Sequence, residues 1–137
     1  MNTELDHIGI AVREIESALV AYREALGLSL DAIETVPEQG VKVAMLALGP
    51  AHIELLEPTD PDGPVGKFLA ARGEGIHHIS LSVPDLPAAL AAARAAGLRL
   101  IDETPRTGAG GKLIAFLHPK STHGVLIELS QRGEPRS

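Results

Sequence analysis

Two stretches of the chain decide the fold, Asp6-His7-Ile8-Gly9-Ile10-Ala11-Val12 and His77-His78-Ile79-Ser80-Leu81-Ser82-Val83, because they repeat each other at an offset of 71 residues. Histidine falls on histidine, and the apolar residues occupy matching positions. The match returns at the same offset where Ala44-Met45-Leu46 lies over Ala115-Phe116-Leu117. After a three-residue insertion, Ile53-Glu54-Leu55 lies over Ile127-Glu128-Leu129. The chain is therefore predicted to contain two copies of one module of about 55 residues.

In each copy, the spacing of apolar residues predicts the same order of strands and helices. An alternating stretch rich in β-branched residues predicts a strand, apolar residues at helical spacing predict a helix, and three further strands follow. In the first copy the predicted elements are Leu5–Val12, a helix from Ile15 to Leu26 ended by Gly27, and strands Leu28–Val36, Val41–Leu48 and His52–Leu56. In the second copy the first strand contains His78, Asp85 caps a helix over Leu86–Ala96, and strands cover Leu98–Asp102, Lys112–Leu117 and Val125–Ser130.

The repeat predicts an α+β fold of two βαβββ modules. Related by an approximate two-fold axis, they are expected to form a curved, mixed, eight-stranded sheet around a metal cleft, with the helices outside. All 137 residues are assigned to this single domain. Its predicted parts are module one at about 4–57, a linker with a short helix at 58–74, module two at about 75–131 and a tail at 132–137.

Composition narrows the class of protein. The chain has no cysteine, which excludes disulfides and thiolate chemistry. Its net charge of −6 argues against a nucleic-acid surface, which needs clustered Lys and Arg. No apolar run approaches the roughly 20 residues that span a bilayer, and the N-terminus lacks the pattern of a signal peptide. A cytoplasmic protein with a small-molecule substrate, and with neither nucleic-acid nor membrane partners, is expected.

The repeat also singles out four ionisable residues. The histidines and acidic residues that coincide between the copies within strands are His7 with His78, and Glu54 with Glu128. A glutamate inside an apolar strand is costly unless it is paired, and two that coincide under the same repeat as the two histidines indicate a shared site. Two imidazoles and two carboxylates suit one divalent cation per chain, such as Co, Mn, Fe, Ni or Zn.

Other polar residues carry weaker signals. His77 is adjacent to His78 and is therefore predicted to face the opposite side of its strand. His52 shares strand parity with Glu54, and a surface position is expected for it. The glycine-rich segment Gly108–Gly111 precedes a strand instead of opening a helix, so it is predicted to be a hairpin and not a phosphate-binding loop.

Several segments together resemble the methylmalonyl-CoA epimerase family of the vicinal oxygen chelate superfamily. They are Leu5–Val12, Glu38-Gln39-Gly40-Val41, Ile53–Pro58, Gly75–Ile79, and His118-Pro119-Lys120 with Gly124–Leu129. The resemblance runs from about residue 5 to about residue 131, and the second and last of these segments are the ones most specific to the epimerases. It implies metal ligands at His7, Glu54, His78 and Glu128, the set that the repeat reaches independently.

The resemblance implies a reaction. In methylmalonyl-CoA the C2–H bond lies between a thioester and a carboxylate, so a bound cation would stabilise the enolate formed by loss of its proton. Inversion needs proton removal on one face and return on the other, and Glu128 and Glu54 are the predicted acid/base pair. Glu38 is the reserve candidate. Some members of the family have Gln at the position of Glu54 and a second catalytic Glu at the position of Val43.

Two alternatives stay open at this point. A glyoxalase I-type isomerase uses a similar set of ligands on a glutathione hemithioacetal, and a non-catalytic protein of the same fold would bind a ligand in the cleft. The loop at His118–Gly124 favours the epimerase. The resemblance also implies a homodimer.

Overall fold

The computed structural model describes residues 2–131, which form two compact units. One unit is residues 7–77, and the other is residues 78–131 together with residues 2–6. The predicted tail at 132–137 lies outside the described residues. Across the described part of the chain, no helix is both long enough and apolar enough to cross a membrane.

The first module is built on four strands, β1 (Glu4–Ala11), β2 (Leu30–Val36), β3 (Val41–Leu48) and β4 (Ala51–Pro58). Their order in the sheet is β2-β3-β4-β1, with β1 parallel to β4 and the other neighbours antiparallel. Helix α1 (Ile15–Leu19) packs its apolar side on one face of this sheet. The core there consists of Val12, Ile15, Leu19, Ala44, Leu46 and Leu55.

A π-helical segment, Val20–Ala25, continues α1. The two copies are offset by 71 residues before this helix and by 70 residues after it, since Gly27 corresponds to Gly97. Module one thus has one extra residue, and a π turn is the form in which a helix accommodates an extra residue. Both glycines have positive φ, +77° at Gly27 and +88° at Gly97, as the end of each helix requires.

The second unit repeats this arrangement. Its strands are β5 (Gly75–Ser82), β6 (Arg106–Thr107), β7 (Leu113–Leu117) and β8 (Ile127–Gln131), in the order β5-β8-β7-β6. Helix α3 (Leu86–Ala95) covers a core of Val83, Leu86, Leu90, Ala115, Leu117 and Leu129. Asp85 caps α3 by accepting the N–H of Ala88 at 3.0 Å, as predicted. Between the modules, helix α2 (Pro64–Arg72) confirms the expected short helix. The α+β class is confirmed, and residues 2–131 contain eight strands, although one lies elsewhere than predicted.

One predicted strand is wrong. Leu98–Asp102 is irregular apart from an isolated bridge between Leu100 and Leu117, and the strand beside β7 is Arg106–Thr107. Asp102 explains the difference, because its Oδ2 accepts the N–H of Phe116 at 2.8 Å. The N–H groups of Ile101 and Asp102 both turn to the single carbonyl of Phe116. The Asp102 side chain therefore accepts the hydrogen bond that a backbone carbonyl of a paired strand would accept, and regular pairing with β7 stops.

The start of each covering helix is held by a side chain from the last strand of its module. Glu57 accepts the N–H of Ile15 at 2.8 Å, and Gln131 accepts the N–H of Leu86 at 2.5 Å. These residues are repeat equivalents, so the same hydrogen bond ties helix to sheet twice. Each bond satisfies a donor that the helix itself cannot satisfy.

We expect Glu57→Ala to lower the free energy of unfolding by about 1 kcal/mol, the usual cost of losing a helix cap. Glu57→Gln should cost much less, because an amide oxygen accepts the same N–H and Gln131 does so in module two. Urea denaturation of the two variants and the parent measures the difference. Equal destabilisation by Ala and Gln would show that the charge of Glu57, and not its hydrogen bond, matters.

Candidate metal centre

The first His/Glu pair lies on the face of the sheet opposite α1. His7 in β1 and Glu54 in β4 are both buried, and His7 Nδ1 is 3.2 Å from Glu54 Oε2. The strand register places Gly9 opposite Glu54, so His7, two residues before Gly9, shares its face. Glycine at position 9 carries no side chain beside this carboxylate. The structure therefore brings together the two ligands predicted in this module.

The second pair repeats the first in the other unit. His78 in β5 and Glu128 in β8 are both buried, and their ligand atoms lie within 4.8 Å of each other. Ser80 is opposite Glu128 in the parallel ladder, as Gly9 is opposite Glu54. The ring of Phe116 contacts the His78 ring edge to face, with centroids 5.5 Å apart. This aromatic contact restricts the orientation of the imidazole.

The surroundings of the two carboxylates differ. Ser80 and Ser130 flank Glu128 on its face of the sheet, and the Ser80 hydroxyl donates to the Ser130 hydroxyl at 3.5 Å. Both serines are buried, at 0% and 1% exposure. The equivalent residues beside Glu54 are Gly9 and Leu56, which carry no hydroxyl. The two serine hydroxyls beside Glu128 thus have no counterpart beside Glu54, which lies 3.2 Å from His7.

Val43 lies on the face that carries Glu54. Met45 is opposite Glu54 in the β3–β4 ladder, and Val43 is two residues from Met45. The Val43 side chain is buried. An acid in some members of the family is therefore replaced here by an apolar residue next to a carboxylate on the adjacent strand. Glu38, the reserve acid/base candidate, is exposed in the turn Pro37–Gln39, and no contact supports a role for it.

His77 and His52 contact residues outside these two pairs. His77 contacts Phe68 of α2 edge to face at 5.0 Å, on the side of β5 opposite His78, as predicted. Burial lowers the pKa of His77. His52 forms an ion pair with Asp31 at 3.2 Å, and both side chains are partly exposed. Gly108–Gly111 connects the antiparallel strands β6 and β7, which confirms the predicted hairpin.

Sequence reasoning missed two basic residues of the second module, Arg106 and Lys112. Arg106 lies over the Phe116 ring, with its guanidinium carbon 5.7 Å from the centroid. Lys112 donates to both carboxylate oxygens of Asp6, at 2.7 and 2.9 Å. The repeat gives no sign of Arg106, because position 35 in module one, its equivalent at the offset of 71, is a threonine.

The residues present fit a divalent cation. Each module supplies one buried imidazole and one buried carboxylate, a donor set suited to borderline or hard divalent metals. Nitrogen and oxygen ligands without thiolates exclude the sites that soft metals prefer. In module one, His7 Nδ1 lies 3.2 Å from Glu54 Oε2, so the imidazole and the carboxylate are close enough to bind the same ion.

Comparisons with known proteins agree with this geometry. Residues 6–116 match the Glyoxalase/Bleomycin resistance protein/Dioxygenase superfamily. The chain is 46% identical to the uncharacterized protein YqjC of Bacillus subtilis over 127 residues, which are 93% of this chain and 91% of that protein. It is 40% identical to the ethylmalonyl-CoA/methylmalonyl-CoA epimerase of Cereibacter sphaeroides over 129 residues, which are 93% of this chain and 96% of that enzyme.

A solved structure extends the likeness to three dimensions. It is a methylmalonyl-CoA epimerase in complex with methylmalonyl-CoA and ammonium, with a TM-score of 0.93, 42% identity and coverage of 98% of both chains. The fold and the paired His/Glu sites define a member of the glyoxalase superfamily. Within that superfamily, the chain belongs to the methylmalonyl-CoA epimerase family.

The two adjacent histidines of β5 provide a matched test of the candidate ligands. We expect His78→Ala to weaken divalent-metal binding by more than about 100-fold, beyond the loss typical of changes outside the ligand set. His77→Ala should retain the metal, since its ring packs on Phe68 on the other face of the strand. Metal titration calorimetry of both purified variants measures this. Loss in His77→Ala with normal binding in His78→Ala would contradict the assignment.

Proposed function

We propose that the chain epimerises (2R)- and (2S)-methylmalonyl-CoA by removing a proton from C2 and returning one to the opposite face. The observation that carries the proposal is the buried His/Glu pair, present once in each repeated module. Similarity to epimerases over nearly the whole chain supports the same chemistry and does not favour a glyoxalase or a non-catalytic binding protein.

The proposed cofactor is one divalent cation held by His7, Glu54, His78 and Glu128. The repeat equivalence of the two pairs and the burial of all four side chains support this set. When bound, such a cation supplies Lewis-acid stabilisation of the negative charge that develops on the substrate oxygens. Co, Mn, Zn and Ni all fit the donor set.

Glu128 and Glu54 are the proposed proton carriers. They occupy equivalent positions in the two modules, which is the relation that removal on one face and return on the other requires. Glu54 is proposed as the second carrier because Val43 cannot hold a proton.

The proposed substrate is an acyl-CoA, because structures of relatives hold methylmalonyl-CoA or 2-nitronate-propionyl-CoA. A homodimer and a cytoplasmic location follow from the family resemblance and stay predictions. Ethylmalonyl-CoA is the natural second substrate to assay, because the Cereibacter sphaeroides relative carries that name.

Solvent exchange tests the reaction. In D₂O, the metal-loaded protein should convert one epimer of methylmalonyl-CoA into the other with deuterium at C2. With two proton carriers, early product is labelled while remaining substrate is largely unlabelled, and NMR with mass spectrometry follows both. If the C2 hydrogen does not exchange while a glutathione hemithioacetal is isomerised, the epimerase proposal is wrong.

A pair of variants tests the role of Glu54. Glu54→Gln should keep the metal, since an amide oxygen remains, and should slow epimerisation by about 100-fold or more, as expected for loss of a general acid/base. The double variant Glu54→Gln with Val43→Glu should regain activity, because it restores a carboxylate on the same face one strand away. If Glu54→Gln alone retains full activity and metal, Glu54 is only a ligand.

A further inference from the structure

The guanidinium of Arg106 lies on the face of the second sheet that carries Glu128. Arg106 is opposite Ile114 in the β6–β7 ladder, and Phe116, two residues further along β7, is opposite Glu128 in the β7–β8 ladder. Since paired residues and alternate residues share a face, these four side chains point to the same side. The Phe116 ring contacts both His78, at 5.5 Å, and Arg106, at 5.7 Å. One aromatic ring therefore separates a fixed cation from a proposed metal ligand.

Among residues 2–131, the recorded contacts of the Arg106 side chain are with Asp102 and Phe116. Its Nε lies 3.3 Å from Asp102 Oδ1, and its guanidinium carbon lies over the Phe116 ring, 5.7 Å from the centroid. Asp102 is itself fixed, because Oδ2 accepts the N–H of Phe116. A guanidinium has five N–H donors in one plane, so this contact leaves the two terminal nitrogens able to bind a carboxylate in the bidentate mode. The side chain is 43% exposed, which allows a ligand to reach it.

Two other basic residues of this unit are engaged through their charged ends. Lys112 gives its ammonium group to both oxygens of Asp6. Arg94 gives a terminal nitrogen to Glu103. Arg106 differs from both, because its ion pair with Asp102 is made through Nε and not through a terminal nitrogen. The irregular segment before β6 thus places a pre-oriented cation beside the second His/Glu pair.

We propose that Arg106 binds the free carboxylate of the malonyl group and so positions C2 beside Glu128. This inference rests on the proposed function. The carboxylate is attached to the reacting carbon, whereas the CoA phosphates are separated from the thioester by the whole pantetheine arm. A cation one ring away from His78 is therefore placed for the carboxylate.

Binding measurements with four ligands test Arg106→Gln. The ligands are methylmalonyl-CoA, propionyl-CoA without the carboxylate, methylmalonyl-pantetheine without the phosphates, and free CoA. The matched control is Arg99→Gln, which removes the same charge from an exposed residue of the same unit. Arg106→Lys keeps the charge but lacks the planar pair of donors. Circular dichroism confirms that each variant folds.

We expect Arg106→Gln to weaken methylmalonyl-CoA and methylmalonyl-pantetheine by about 10- to 100-fold, the range for a charge-assisted hydrogen bond. Propionyl-CoA and CoA should be unaffected, Arg106→Lys should be intermediate, and Arg99→Gln should bind like the parent. Loss of propionyl-CoA and CoA binding with normal methylmalonyl-pantetheine binding would assign Arg106 to a phosphate and overturn the proposal. Unchanged binding of all four ligands would also overturn it. These experiments measure binding and not turnover. A negative result for Arg106 can therefore be distinguished from a failure of the proposed epimerase activity.

Discussion

The rest of the structure depends on the two-residue period of the β-strands. Each sheet must bury one face under a helix, and Leu55 and Leu129 supply that face in β4 and β8. Their neighbours Glu54 and Glu128 are then forced to the other face, with the histidines of β1 and β5 in register. A slip of one residue would place a carboxylate beneath each helix, at a cost of several kcal/mol. The same strand register thus places the leucines in the apolar core and the glutamates in the candidate metal centre.

The two modules differ in the residues around their His/Glu pairs. The ligand types are kept, while Gly9 and Leu56 on one side correspond to Ser80 and Ser130 on the other. The last segment of module two is also distinctive, since the Asp102 carboxylate interrupts the strand and steadies Arg106. The two equivalent His/Glu pairs suit a proposed metal ion, which needs the same kind of ligand from each module. The residues that differ between the modules, such as Arg106, suit a substrate that has different groups at its two ends.

Much of this could be predicted from the sequence, because repetition tests each interpretation twice. The two His/Glu pairs, the opposite orientation of His77 and the Asp85 cap all followed from spacing and residue type. The strand predicted at Leu98–Asp102 was wrong because periodicity does not reveal that the Asp102 side chain accepts a backbone N–H. Arg106 was missed for a related reason. Its contacts depend on the register of β6 against β7, which a two-residue strand does not disclose in sequence.

The π-helical segment after α1 bears on how the two halves tolerate changes in length. An extra residue in a regular helix turns everything beyond it by about 100°. Widening one turn at Val20–Ala25 absorbs that rotation, so Leu28 still packs against the same core cluster. Residue deletion in this segment would convert it to an ordinary helix like α3. Helices usually tolerate insertions poorly, but here the one-residue difference in length between the modules lies within a helix.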